Sequence, residues 1–294
     1  MEFTPLFVEK LEAVGIDPSK IYGQFMPPKY VRENPRKWKH VDLERFLKSL
    51  NISYKRVSWY PKILQLRGGE TGLGRTEEFK SGFFYLQDVS SVLPVLALDP
   101  RPSERILDLC AAPGLKTSLM HDLTIGEAYI IAIDISEGRL RKLRQTIKQY
   151  GLGGITVVKA DGRRYRPPIE YDKVLVDAPC STEGKIGQFE DSLKTHWSSW
   201  KKIKDLTKVQ KGLIRNGFRL LKSGGTLVYS TCSFPREENE SVVEYLLKKE
   251  KNAEVREIEI PSAPLKQGLI EKTARIDPLK IRGNGGFIAK ITKK

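Results

Sequence analysis

The sequence predicts an α/β protein: a mostly parallel sheet with helices on both faces, an antiparallel strand at its end, and a small α+β subdomain in front. Three observations lead there. From about residue 83, apolar β-rich runs alternate with helix-length amphipathic segments, as parallel strands joined by crossover helices must. Two late runs, "EVREIEI" and "GFIAKI", have no clear helix between them, so an antiparallel addition to the sheet is expected. Before residue 80 the regular alternation is missing.

Residues 1–25 read as one or two short helices ending near "YGQFMPP". From Tyr30 to about Arg75, "KYVRENP", a helical "DLERFLKSLN" and "YKRVSWYPKILQL" give a βαβ-like order with aromatic and basic residues interleaved. Two readings fit that segment: a small RNA-binding sheet, or an ordinary α+β cap packed on the next domain. The loop "RGGETGLG" marks the boundary, giving a subdomain over 1–80 and a larger domain over 81–294. The larger domain places strands at "RILDL" (105–109), "AYIIAID" (128–134), "ITVVKA" (155–160), "DKVLVDA" (172–178) and "GTLVYST" (225–231). Two of its helices are "EGRLRKLRQTIKQYG" and "LTKVQKGLIRNGFRLLKSGG", the latter read as closed by its Gly-Gly.

Composition narrows the function. The chain has 294 residues, 39% hydrophobic and 30% charged, a globular balance. No apolar run reaches the ~18 residues of a membrane helix, and the N-terminus lacks a signal peptide's basic and apolar regions. Three cysteines with no CxxC pair speak against a disulfide framework and a zinc site, so a reducing cytoplasm and no metal are expected. The net charge is +15. A surplus of that size is the footprint of a nucleic-acid binder, whereas a thermophile's charged surface would enrich both signs together.

In such sheets ligands bind outside the carboxyl ends of the strands. The first strand delivers Asp108 and "CAAPGLKT", the second Asp134, the third Asp161, the fourth "DAPC" and the fifth "STCS". All three cysteines fall at carboxyl ends, which a core-filling role does not predict. The loop after the first strand has one glycine, Gly114, where a dinucleotide fingerprint needs three, and it lacks the P-loop pattern. A short Ala-Ala-Pro-Gly turn lets backbone amides approach a cofactor without a pyrophosphate. Asp134 suits ribose hydroxyls and Asp161 an adenine amino group. Together these favour S-adenosylmethionine over NAD; for Asp134, a helix cap is the plainer alternative.

"ILDLCAAPGLKTSLM", "DAPCSTEG" and "YSTCSFPREENE", in this order and spacing, resemble the RsmB/Nop/Sun (NSUN-type) family of RNA cytosine-C5 methyltransferases. "FYLQDVSS", "YVRENP" and "GGFIAKI" are similar to that family too. The resemblance implies a Rossmann-like methyltransferase domain preceded by an RNA-recognition-like subdomain. It also implies Cys232 as nucleophile, Cys180 as an aid to product release and Asp177 as a catalytic carboxylate. Around S-adenosylmethionine it places Cys110, Ala111, Ala112, Pro113, Gly114, Leu115 and Lys116, with Asp134, Arg139, Asp161 and Asp177; Cys110 packs rather than reacts.

Carbon 5 of cytosine is a poor nucleophile, and a thiolate adding at carbon 6 turns the ring into an enamine that can attack a sulfonium methyl. A helix start after Cys232 lowers a thiol's pKa, while Glu237 and Glu238 in the same turn oppose it. Asp177 either protonates the N3/N4 edge, which needs a raised pKa, or binds the cofactor amine as a carboxylate. After "DAPCS" the family's basic stretch is replaced by "TEGKIGQFEDSLKTHW". Lys185, Lys194, His196, Trp197, Lys201 and Lys202 either take over its RNA contacts or form a solvated face. A DNA cytosine methyltransferase would use Cys180 as nucleophile, and a non-catalytic RNA-binding or ribosome-assembly factor would need neither cysteine. Within RNA the compact chain favours tRNA over ribosomal RNA, bound by the N-terminal unit and basic helices, with the protein a monomer.

Overall fold

The computed structural model describes residues 4–67, 72–186 and 200–294. The chain opens with α1 (Pro5–Glu12) and α2 (Pro18–Ile21), each started by a side-chain cap, Thr4 and Asp17. Phe7, Leu11, Ile21 and Tyr22 from this region do not pack on the small sheet. They form a cluster with Ile186, Ile203 and Phe234 of the large domain.

The small unit runs β1 (Tyr30–Glu33), α3 (His40–Ser49), β2 (Ser53–Arg56), β3 (Ile63–Arg67), α4 (Glu77–Lys80) and β4 (Phe84–Leu86). Its antiparallel sheet is ordered β2-β3-β1-β4, so the fourth strand comes from beyond residue 80. Alternation along the strands sorts the side chains onto two faces. Val31, Leu64, Leu66 and Phe84 meet Leu43 and Leu47 of α3. On the opposite face Tyr30, Ile63 and Tyr60 join the core of the large domain with Leu119 and Met120. The half of the helix-free face carried by Tyr30, Arg32, Ile63 and Tyr85, part of the surface an RNA-recognition sheet would offer to bases, is therefore buried against the large domain.

Arg32 sets that docking. Its guanidinium is fully buried, bonds Asp122, donates to Gln87 Oε1 (2.7 Å) and Ser118 Oγ (2.8 Å), and stacks 3.8 Å over the Tyr85 ring.

In the large domain α5 (Leu93–Leu98) precedes β5 (Arg105–Asp108), α6 (Leu115–Leu123), β6 (Tyr129–Asp134), α7 (Glu137–Tyr150), β7 (Ile155–Lys159), β8 (Tyr171–Asp177), α8 (Trp200–Arg219), β9 (Leu221–Thr231) and α9 (Glu240–Lys249). The expected strands form the parallel array β7-β6-β5-β8-β9. Strand order reverses between β5 and β8, which places the ligand crevice there. After β10 (Ala253–Arg256), the hairpin β11 (Leu265–Gln267) and β12 (Ala274–Ile276), and α10 (Pro278–Ile281), the chain ends in β13 (Gly286–Lys293). β13 pairs antiparallel with β9, and β10 pairs with its far half, as the two late runs predict.

One reading is corrected. The Gly-Gly after "FRLLKS" does not close α8, which stops at Arg219. Leu221 is already paired with Tyr171, and Gly224 sits at φ 78° within β9 where the register against β8 slips. A left-handed glycine in a strand makes a bulge as readily as it caps a helix.

Candidate active site

The strand ends bring the expected residues to the crevice between β5 and β8. Sγ of Cys180, after β8, lies 3.1 Å from Sγ of Cys232, after β9, and the Cys232 amide donates to Cys180 Sγ at 3.3 Å. Cys180 donating to Cys232 is the main reason the Cys232 thiol is held below its ordinary range. Lys185 and Lys116 add to the lowering, against burial. Cys180 moves well up through its contact with Cys232 and its burial.

The expectation that a helix start activates Cys232 is corrected. The "REE" segment is a 3-10 turn over Arg236–Glu238, and α9 begins only at Glu240. Glu237 pairs with Lys10 (2.8 Å). Glu238 is fully buried and accepts from the Ser181 amide (3.1 Å), the Ser181 hydroxyl and Gln210 Nε2 (2.7 Å). Burial, helped by the nearby Glu183, pushes its carboxyl up to about 8.

Beside the sulfurs, Lys116 Nζ donates to Asp177 Oδ2 (2.7 Å) and Ser230 Oγ to Asp177 Oδ1 (2.8 Å). Both oxygens of Asp177 are thus engaged. Burial works against the Lys116 charge, yet the Asp177 carboxylate outweighs it and Lys116 is raised. Asp108 accepts from Thr117 Oγ1 (2.7 Å), and burial pushes it up to about 7. It therefore braces α6 from behind the loop. Cys110 packs in the core, its thiol pushed well up by burial.

The loop Cys110–Lys116 turns through a cis Ala112–Pro113 bond and Gly114 at φ 107°. A Cβ on Gly114 would lie 2.7 Å from Leu143 Cδ1, and the left-handed φ itself disfavours any other L residue there. Arg139 donates to the Ala112 carbonyl (2.5 Å) and lies 3.3 Å from Asp134 Oδ2. Asp134 Oδ1 accepts from the Ser136 amide (3.0 Å), while Oδ2 is buried with no hydrogen bond. A buried carboxylate oxygen at a strand's carboxyl end, ion-paired with Arg139 but accepting no hydrogen bond, beside the Gly114 turn, fits a nucleoside whose ribose hydroxyls donate to it. Asp161 follows Ala160, whose amide donates to the Asp134 carbonyl (3.3 Å); Arg163 grips both Asp161 oxygens (2.6–3.1 Å) and lowers its pKa. Lys201 and Lys202 are exposed on the first turn of α8, whereas Lys194, His196 and Trp197 lie outside the described residues.

Ser230, Ser181 and Gln210 were not singled out from the sequence. Ser230 stands two residues before Cys232, on the same side of the strand, and that spacing was the available signal. No described helix is long and apolar enough to cross a membrane, and the described residues hold no metal-binding group of three or more His, Cys, Asp or Glu.

The parallel sheet with its antiparallel last strand, the glycine turn after β5 and the acid at the end of β6 are the architecture of the S-adenosylmethionine-dependent methyltransferases. The chain belongs to the 16S rRNA methyltransferase RsmB/F family, whose model matches residues 95–292. It is 42% identical over 180 residues to Ribosomal RNA small subunit methyltransferase F of Klebsiella pneumoniae (strain 342), covering 60% of this chain and 37% of that protein. The chain thus spans well under half the length of the curated relatives it matches. Among solved structures, a methyltransferase homolog protein from Pyrococcus horikoshii is 30% identical with a TM-score of 0.80, over 99% of this chain and all of that one. NSun6 from Pyrococcus horikoshii, solved with the S-adenosylmethionine analogue SFG, is 25% identical with a TM-score of 0.81, over 92% of this chain and 91% of that one.

Proposed function

We propose that this chain methylates carbon 5 of a cytosine in RNA through a transient bond between Cys232 Sγ and carbon 6 of the base. The observation that carries the reading is the contact of two sulfurs from adjacent strand ends, one of them the lowered thiol, beside the Lys116–Asp177 pair. Bound S-adenosylmethionine supplies an electrophilic methyl group. The chain's residues do the rest. Cys232 Sγ bonds to carbon 6, and carbon 5 becomes nucleophilic and takes the methyl group. Loss of the carbon 5 proton to water then re-forms the 5,6 double bond and expels Cys232 Sγ as a thiolate, and Cys180, 3.1 Å away, assists by hydrogen-bonding to the leaving sulfur. Asp177, engaged by Lys116 and Ser230, acts as an anchoring carboxylate rather than as the acid at N3. Asp134 holds the ribose, Arg139 fixes the Ala112 turn, and the backbone of Cys110 to Lys116 lines the cofactor.

In the alternative, DNA-methyltransferase arrangement Cys180 would attack instead. Denaturing gels with substrate RNA decide between them. Cys180→Ala should trap RNA on the enzyme, and Cys232→Ala should neither methylate nor trap. A covalent adduct that survives Cys232→Ala and vanishes in Cys180→Ala would reverse the roles, and absence of methyl transfer by the intact chain would leave a non-catalytic factor. The curated relatives are named for small-subunit ribosomal RNA, and tRNA is the other candidate substrate. Bisulfite sequencing of both RNAs with and without the gene separates the two.

A further inference from the structure

We infer that the open half of the small sheet, together with Arg282, is a groove that grips RNA through its phosphodiester backbone without stacking its bases. The proposal rests on the RNA reading above. Strand register sorts the helix-free face into rows: Tyr30, Gln65 and Lys55 lie side by side, Arg32 and Ile63 form the row next to them, and Ser53 and Arg67 form the row on the other side. The half carrying Arg32 and Ile63 is buried under the large domain. The half carrying Lys55, Gln65 and Arg67 is not covered, and it opens into a groove of about 480 Å³ closed on its far side by Arg282.

Three cations line this groove, and each is exposed. None makes an ion pair with a described carboxylate, although much of the chain's surface charge is paired. Arg282 is held in place from behind. The Tyr30 hydroxyl donates to its carbonyl at 2.8 Å, and α10 ends on it in a left-handed conformation (φ 58°). Two residues further on, Asp88 accepts from the Asn284 amide, and then the Gly285 amide donates to the Gly184 carbonyl (2.8 Å), in the loop that follows Cys180. The groove therefore borders the loops that present the two cysteines. The aromatic side chains of this sheet face inward: Tyr54 packs under α3, and Tyr30 and Tyr85 are buried. A surface with free cations and no exposed ring recognises phosphate rather than base.

The test is the salt dependence of RNA affinity, read without methyl transfer, so failure of the catalytic reading does not decide it. The full chain carrying Lys55→Ala, Arg67→Ala and Arg282→Ala is compared with wild type on a tRNA transcript and on polyuridylate. Loss of three phosphate contacts should make the slope of log affinity against log salt shallower by about 2 to 3. An equal charge change at the far end of the molecule (Lys248→Ala, Lys249→Ala, Lys251→Ala) should move it by less than about 1. S-adenosylmethionine affinity and melting temperature, measured on the same variants, report whether the fold is intact. Equal slopes for the two triple variants, or affinity that follows base identity and not salt, would overturn the proposal.

Discussion

Glu238, in the turn after the Cys232 strand, accepts from both the amide and the hydroxyl of Ser181, the residue after Cys180. The two sulfur-bearing loops are thereby tied together by one buried side chain. Gln210 completes the tie, donating to Glu238 Oε2 and to the Pro179 carbonyl (2.9 Å). Glu238→Ala should cost about 2–3 kcal/mol, since buried donors lose their acceptor. Methyl transfer should fall with it, and Glu238→Gln, which keeps the shape, should recover most of both. Urea unfolding and a methylation assay on each variant check this.

The same residue gives stability a pH dependence. Its folded-state pKa of about 8 lies above the ordinary 4.5, so the folded state binds the extra proton. That contribution is complete below about pH 4.5 and is lost as pH rises through 8. The melting temperature of wild type should therefore fall between pH 6 and 9 by more than that of Glu238→Gln. Parallel curves would show that another group carries the slope.

Cys232 should alkylate with iodoacetamide at lower pH than an ordinary thiol, and faster than Cys110. Removing the Cys180 donor (Cys180→Ala) should move the Cys232 midpoint upward, and Lys116→Met should move it upward by less. Mass-spectrometric alkylation rates across pH give each midpoint; an unmoved midpoint in Cys180→Ala would mean that the lysines alone activate the thiol.

Asp134→Ala removes a charged acceptor that donors from a ribose would use. Calorimetry should show S-adenosylmethionine affinity reduced roughly 10- to 100-fold, the range of a hydrogen bond to a charged group. Asp161→Ala should lose far less, since Arg163 already engages that carboxylate.

Arg32→Met should destabilise the chain by about 3–5 kcal/mol, because Asp122 is left buried with one partner fewer. Arg32→Lys should not restore stability, since one ammonium cannot reach Gln87, Asp122 and Ser118 as the guanidinium fork does. Denaturant titrations of both variants test it.

Much of this was legible from pattern. The central parallel strands β5, β6 and β8 are largely apolar runs, because most of both faces is buried, and each ends at an aspartate that marks the crevice. What escaped depends on long-range packing. β11 and β12 are three residues each, with Lys266, Gln267 and Arg275 among them, too short and polar to show a period. The Gly-Gly bulge was mistaken for a cap because a left-handed glycine serves either purpose. Glu238 reads from spacing as a charge opposing Cys232, and only burial against Ser181 and Gln210 reveals it as a carboxyl with a raised pKa. The aromatic-basic interleaving of residues 54–66 mixes the two faces of one sheet, and the register alone separates a buried ring from an open cation.

Helix α6 begins at the Gly114 turn and carries Ser118 and Asp122, both held by Arg32, while Gln87 joins Arg32 to the Leu115 carbonyl (3.4 Å). A tilt of the small sheet would therefore pull on the Gly114 turn through Arg32 and α6. A nucleic-acid strand lying on that sheet would be gauged against the reacting sulfur by a stiff bar, so reach, rather than sequence, would select which nucleotide arrives.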